Sequence, residues 1–109
     1  MGSLTVGDVV LIAFPFADFS KYKKRPALIV GKAEFDNLIL CQITSKAVTS
    51  KRAIPLKSDH FSTVGLGMDS FVRPDKLFTV EQSVIESKVG TLLISKLDNI
   101  RQEVQAIFS

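Results

Sequence analysis

A chain of 109 residues has room for one domain and one hydrophobic core. Its 46% hydrophobic content and mean hydropathy of +0.25 exclude a disordered polypeptide. Lys and Arg total 14 against 11 Asp and Glu, a net charge of +3, which favours a polyanionic partner only weakly, so the placement of charge matters more than its sum.

Cys41 is the single cysteine and lies in an apolar run, and His60 is the single histidine. An internal disulfide framework and a zinc-type ligand cluster are therefore excluded. The chemistry is expected to need no metal and no cofactor. Met1-Gly2-Ser3-Leu4-Thr5 lacks the charged and apolar regions of a secretory signal, and no apolar run is long enough to span a bilayer. The expected location is the cytoplasm, with no membrane partner.

The first predicted strand follows Gly7-Asp8 over residues 9–14, rich in β-branched side chains, and Pro15 stops it because proline lacks a ladder N–H. A polar loop over residues 17–24 ends in Lys21-Tyr22-Lys23-Lys24. The second strand runs from Arg25 to Lys32, and its continuous Leu28-Ile29-Val30 run suits a strand covered on both faces. A turn at Glu34-Phe35-Asp36-Asn37 leads to a third strand over residues 38–43, closed by Thr44-Ser45.

Residues 46–52 read as a basic loop, and 53–56 as a short edge strand that tolerates Pro55. Gly65-Leu66-Gly67 predicts a bend before two further strands, 70–72 and 77–80. Leu97, Ile100, Val104 and Ile107 then recur at helical spacing, with Ser95-Lys96-Leu97-Asp98 as a capping box. Short strands and one closing helix predict a mainly β fold, a small and strongly curved β-barrel with a C-terminal helix.

Several polar residues admit both a structural and a chemical role. Arg25 at a strand start is either a solvated rim charge or a bidentate phosphate ligand. Lys21, Tyr22, Lys23 and Lys24 form either a solubilising loop or an electrostatic funnel with one stacking aromatic. Thr44 and Ser45 can cap a turn or donate to an anion. Arg73 and Asp75 alternate, so an extended backbone turns both to one side, where they form a surface ion pair or a catalytic pair. Arginine is a poor acid, and a neighbouring cation keeps a carboxylate weakly basic. His60 sits in a polar stretch that reads as a surface loop.

Gly7-Asp8-Val9-Val10-Leu11-Ile12, Phe14-Pro15-Phe16 and Lys24-Arg25-Pro26-Ala27-Leu28-Ile29-Val30 resemble the start of the PemK/MazF family, the toxin halves of type II toxin–antitoxin systems. Ile43-Thr44-Ser45, Val72-Arg73-Pro74-Asp75 and the C-terminal helix extend the resemblance over most of the chain. It implies a single toxin domain over residues 1–109 with an SH3-like barrel of the PemK/MazF/CcdB type, which forms a homodimer. The implied activity is sequence-specific cleavage of single-stranded RNA, in which the RNA's own 2′-hydroxyl attacks and leaves a cyclic phosphate and a 5′-hydroxyl. The implied partners are that RNA, normally mRNA, and a cognate antitoxin with which the toxin joins DNA-binding complexes.

The resemblance makes Arg25, Thr44, Arg73 and Asp75 catalytic, with Thr44 donating to the phosphate and Arg73 with Asp75 as the acid–base pair. Lys21, Tyr22, Lys23, Lys24, Ser45 and Lys46 would bind RNA. The loop before Arg25 lacks the length, glycines and histidine of some members, which leaves the cleavage sequence open. Two alternatives are a gyrase-poisoning toxin of the same fold and a non-catalytic SH3-like module that binds RNA or peptide.

Overall fold

A computed structural model of the chain describes residues 3–15, 22–46, 50–63 and 65–109. Six antiparallel strands and one helix follow in the order β1 (Asp8–Pro15), β2 (Tyr22–Lys32), β3 (Asn37–Thr44), β4 (Ile54–Leu56), β5 (Ser70–Glu81), β6 (Ile85–Thr91) and α1 (Ile94–Ile107). The strands form one sheet in the order β4-β5-β3-β2-β1-β6. The mainly β fold with a C-terminal helix is as expected. The sheet curls without closing: Phe61, just past edge strand β4, meets Leu92, just past edge strand β6, in an isolated bridge.

Both faces of the central strands are covered, which accounts for their continuous apolar runs. Leu28, Val30, Cys41, Ile43 and Val72 pack on the helix side with Ile100 of α1. Ala27, Ile29, Leu38 and Leu40 pack on the opposite side with Val10, Ile12 and Ile85. Each fully buried Leu or Ile contributes roughly 1.5–3 kcal/mol.

Several elements differ from the sequence expectation. Pro15 does not stop the first strand: β1 runs through it, and its backbone pairs with Tyr22 as the last rung of β1–β2. Strand β2 begins at Tyr22 rather than Arg25, because its ladder with β1 runs on to Pro15↔Tyr22. The two segments expected at 70–72 and 77–80 are one strand interrupted by a bulge. One step along β3, from Cys41 to Gln42, moves the partner on β5 from Leu77 to Arg73, so Pro74-Asp75-Lys76 leaves the ladder. Strand β6 has no counterpart in the sequence expectation. Its Glu86, Ser87 and Lys88 are exposed, and an edge strand with one wet face lacks a hydrophobic signal.

The helix starts two residues early as well. Leu93 is its N-cap, with no side-chain cap, and Ser95 to Asp98 lie inside it. Tertiary contacts decide the entry: Leu92 is buried, and the Leu93 N–H donates to the His60 carbonyl at 2.8 Å.

Gly7-Asp8 has a structural role. Gly7 sits at φ +101°, and a Cβ there would approach Leu97 Cδ2 to 3.2 Å. The fully buried Asp8 carboxylate accepts the Thr5 N–H at 2.9 Å and the Thr91 hydroxyl at 2.8 Å, with Lys88 Nζ 3.5 Å away. It ties the N-terminal arm and β1 to the adjacent edge strand β6.

Candidate nucleic-acid interface

Proline and register together open the site. The β2–β3 ladder begins at Ala27↔Gln42, while β2 stays paired with β1 through Pro26↔Leu11 and beyond. Pro26 has no N–H to give a second neighbour, so β2 and β3 part there. Where they part lies a cavity of about 360 Å³, lined by Lys24, Arg25, Thr44, Ser45 and Lys46, with Pro26, Ile43 and Ser70 among its other walls. Three cationic side chains and three hydroxyls on one cleft suit a phosphodiester.

A larger cavity of about 640 Å³ is at the β2–β3 hairpin end and is lined by Leu4, Phe35, Asp36, Glu81, Gln82, Ser83 and Ile85. Its two carboxylates and lack of a lining cation repel a polyanion. Of the two, the smaller cleft is the one whose lining suits an anion.

Within that cleft the side chains are differently engaged. Thr44 Oγ1 accepts the Lys46 N–H at 3.2 Å, which fixes the turn and leaves the hydroxyl proton to donate. Ser45 and Lys46 are exposed. Lys24 Nζ lies 3.9 Å from Glu86 of β6, a solvent-exposed pair of little energetic weight. Lys21 and the side chains of Tyr22 and Lys23 lie outside the described residues; the backbones of Tyr22 and Lys23 pair with Pro15 and Phe14 in the first rungs of β1–β2. Tyr22, Lys23 and Lys24, expected in the polar loop, are thus strand residues.

Arg73 and Asp75 do not line the cleft. They stand one strand away, where the bulge bends the chain so that the guanidinium grips the carboxylate twice, Nε to Oδ1 at 3.2 Å and Nη2 to Oδ2 at 3.1 Å. Those bonds are the main reason the Asp75 carboxyl is held below its ordinary value, against a smaller opposing effect of burial. Free Asp75 is therefore ionised and a weak base.

Strand alternation sorts the polar residues by face. Arg25 is two positions from Ala27, and Thr44 and Gln42 are two and four from Leu40 and Leu38, all on the side away from α1. Val72 packs on the helix side, so its neighbour Arg73 presents to that same opposite face. Gln42 is absent from the sequence-derived candidates, although its parity with Thr44 in a strand could have found it.

His60 stands apart from this chemistry. Its Nδ1 accepts the Lys57 N–H at 2.9 Å within a short 3₁₀ turn, and it does not line the cleft. Among the described residues no three His, Cys, Asp or Glu side chains converge as a metal site. No described helix is long and apolar enough to cross a membrane.

Residues 5–108 match the family described as PemK-like, MazF-like toxin of type II toxin-antitoxin system. No curated protein sequence matches the chain. Among solved structures, the Mycobacterium tuberculosis toxin MazF-mt6 is similar at 20% identity and a TM-score of 0.70, over 93% of this chain and 95% of that one. A Deinococcus radiodurans MazE-MazF structure gives 18% and 0.74, over 94% of each chain. An endoribonuclease in complex with its cognate antitoxin from a mycobacterial species gives 14% and 0.73, over 97% and 95%. At these identities the likeness is one of fold.

Proposed function

The chain belongs to the PemK-like, MazF-like toxin family of type II toxin–antitoxin systems, and from that premise we propose that it is an endoribonuclease toxin that cleaves single-stranded RNA through attack by the RNA's own 2′-hydroxyl. The observation that carries this is the meeting of Arg25, Thr44 and Lys46 on one cleft where β2 and β3 separate. A substrate that brings its own nucleophile asks the protein only to orient the phosphate, stabilise the added charge and move two protons.

Arg25 supplies the planar pair of donors that a phosphate accepts, and Thr44 a neutral donor beside it. Lys24, Lys46 and Ser45, with Lys21, Tyr22 and Lys23, guide the strand toward them. Arg73 stabilises charge. Asp75 takes the 2′-hydroxyl proton, and its grip by Arg73 sets a condition on that step. A phosphate that draws Arg73 away removes the contact that acidifies Asp75, so substrate arrival raises the basicity of the base it needs.

The proposed assembly is a homodimer, held inactive by a cognate antitoxin. The similar mycobacterial endoribonuclease is seen in complex with such a partner, and an acidic antitoxin segment would complement the cationic cleft. No protein-held metal is required.

Incubation of the purified protein with mixed single-stranded RNA in EDTA tests the activity. Cleavage that persists in chelator and falls about 10²–10³-fold in Arg25→Ala is expected. Intact RNA, or cleavage indifferent to Arg25, overturns it. Stalled gyrase complexes with intact RNA would instead indicate a gyrase poison, and RNA binding without cleavage a non-catalytic module.

A further inference from the structure

The three residues best suited to meet a phosphate are spread over three strands: Arg25 on β2, Thr44 on β3 and Arg73 on β5. Register shows what lies between them. Gln42 is paired on one side with Ala27, two residues from Arg25, and on the other with Arg73 itself. Thr44 is two residues further along β3 and is paired with Phe71. Paired Cα atoms lie about 5 Å apart and alternate residues about 7 Å along a strand. Gln42 is therefore about 5 Å from Arg73 and about 7 Å from Thr44 by backbone position, while Arg25 lies two residues beyond Gln42's partner Ala27, where β2 and β3 have parted.

Its side chain points the same way as theirs, since residues 38, 40, 42 and 44 share one face of β3 and Leu38 and Leu40 pack away from α1. Gln42 is half-buried, and its carboxamide makes no hydrogen bond among the described residues. Its polar atoms are not among the buried unsatisfied ones, so water meets them in the free protein, and two donors and an acceptor stand ready for a ligand to take. Arg25 and Arg73 flank that position, and although Asp75 offsets the Arg73 charge while the pair holds, the balance still favours an anion over a cation.

We propose that Gln42 is a further substrate-contacting residue, whose side-chain N–H donates to the backbone phosphate held between Arg25 and Arg73. The inference rests on the proposed assignment of Arg25, Thr44 and Arg73 to RNA; Gln42 does not line the cleft itself but stands next to Thr44 on the same face of β3. It adds a neutral donor between two arginines, where it joins the Thr44 side of the site to the Arg73–Asp75 side.

The test uses the intact protein and a mixed-sequence single-stranded DNA dodecamer, which carries the phosphodiester but no 2′-hydroxyl. The Gln42 side-chain amide pair is identified in an ¹⁵N spectrum as the signal missing from Gln42→Leu. On titration, that pair is expected to shift together with the Thr44 and Arg73 backbone amides. Dodecamer affinity is expected to fall about tenfold in Gln42→Leu and further in Gln42→Glu, whose charge repels the phosphate. A Gln42 signal that stays fixed while Thr44 and Arg73 shift overturns the inference, and so does unchanged affinity in Gln42→Glu, the variant that keeps the side-chain shape. Because the dodecamer cannot be cleaved by its own 2′-hydroxyl, the expected shifts would support Gln42 even if RNA remained intact. Shifts at none of these positions overturn both the contact and the interface.

Discussion

Arg73 and Asp75 hold one another through two parallel hydrogen bonds, of 3.2 Å and 3.1 Å, inside the bulge that removes Pro74-Asp75-Lys76 from the β3–β5 ladder. The bulge is what lets residues two apart meet, and buried Pro74 anchors it from below. The pair makes the local structure and the proposed chemistry compete for one guanidinium.

That competition has a pH signature. The Asp75 carboxyl is held below its ordinary value of 3.8, chiefly by Arg73. A depressed folded-state value means the unfolded chain binds the proton more readily, so the contribution to stability is present above about that value and is lost as pH falls through the lower, folded one. Asp75→Asn has no such proton to bind. In urea titrations, the stability advantage of the native protein over Asp75→Asn is expected to shrink as pH drops from 5 toward 3. A constant gap over that range would show that the pair does not act as described.

At the cleft, Thr44 has two separable functions. Its oxygen accepts the Lys46 N–H, and its proton remains for the proposed bond to phosphate. Thr44→Val removes both and is expected to lower the cleavage rate about 10²-fold. The stability cost should stay near 1 kcal/mol, since the freed Lys46 N–H is solvent-exposed. Thr44→Ser keeps both roles and should retain most of the activity. Single-turnover cleavage beside thermal melting of each variant separates the two effects.

Lys46 contributes in a different way. It is exposed on the cleft rim, without an ion pair among the described residues. Lys46→Ala should weaken RNA binding similarly for unrelated sequences and reduce the slope of log affinity against log salt by about one. A sequence-dependent loss would instead mark Lys46 as a base-reading contact.

The residues legible in the sequence are those whose local chemistry matches their global role. The Arg25-Pro26 start of an apolar run signals a strand covered on both faces, and Pro26 is also what parts β2 from β3 to form the cleft. Strand β6 is not legible. Only Ile85 and Gly90 of it are buried, and it is held by backbone pairing with β1 through two register shifts rather than by an apolar pattern. The helix start falls earlier than its pattern predicts because a buried Leu92 and a backbone bond to His60, more than 30 residues earlier in sequence, outweigh a local capping pattern. Gln42 has no motif, and its meaning arises only when β2 and β5 are set on either side of it.

Asp8 links those two kinds of information, because a residue of the recognisable motif holds the unrecognisable strand. Removing its buried carboxylate strands the Thr5 N–H and the Thr91 hydroxyl. Asp8→Ala is expected to destabilise the fold by about 3 kcal/mol. Hydrogen exchange should speed up first at β6, the edge strand that Thr91 and Lys88 join to Asp8. Cleavage per folded molecule should be unchanged at permissive temperature, since Asp8 does not line the cleft. Loss of activity without loss of stability would move Asp8 from the scaffold to the chemistry.

Cys41 provides an independent measure of the same scaffold. It is fully buried between Leu28 of β2 and Leu77 of β5, and burial, with a smaller push from the Asp75 charge, raises its thiol to about 12. At neutral pH the nucleophilic thiolate is therefore scarce and shielded. Alkylation by iodoacetamide in native buffer should proceed only through global opening of the β2–β3–β5 layer. Its rate is expected to rise in Asp8→Ala by a factor that tracks the lost stability, about 10² for 3 kcal/mol. It should stay at the native level in Arg25→Ala, where the charge at the cleft changes and the core does not. Rapid labelling of the native protein, or equal rates in Asp8→Ala and native protein, would mean that Cys41 is reached by a local opening that leaves the Asp8 anchor intact.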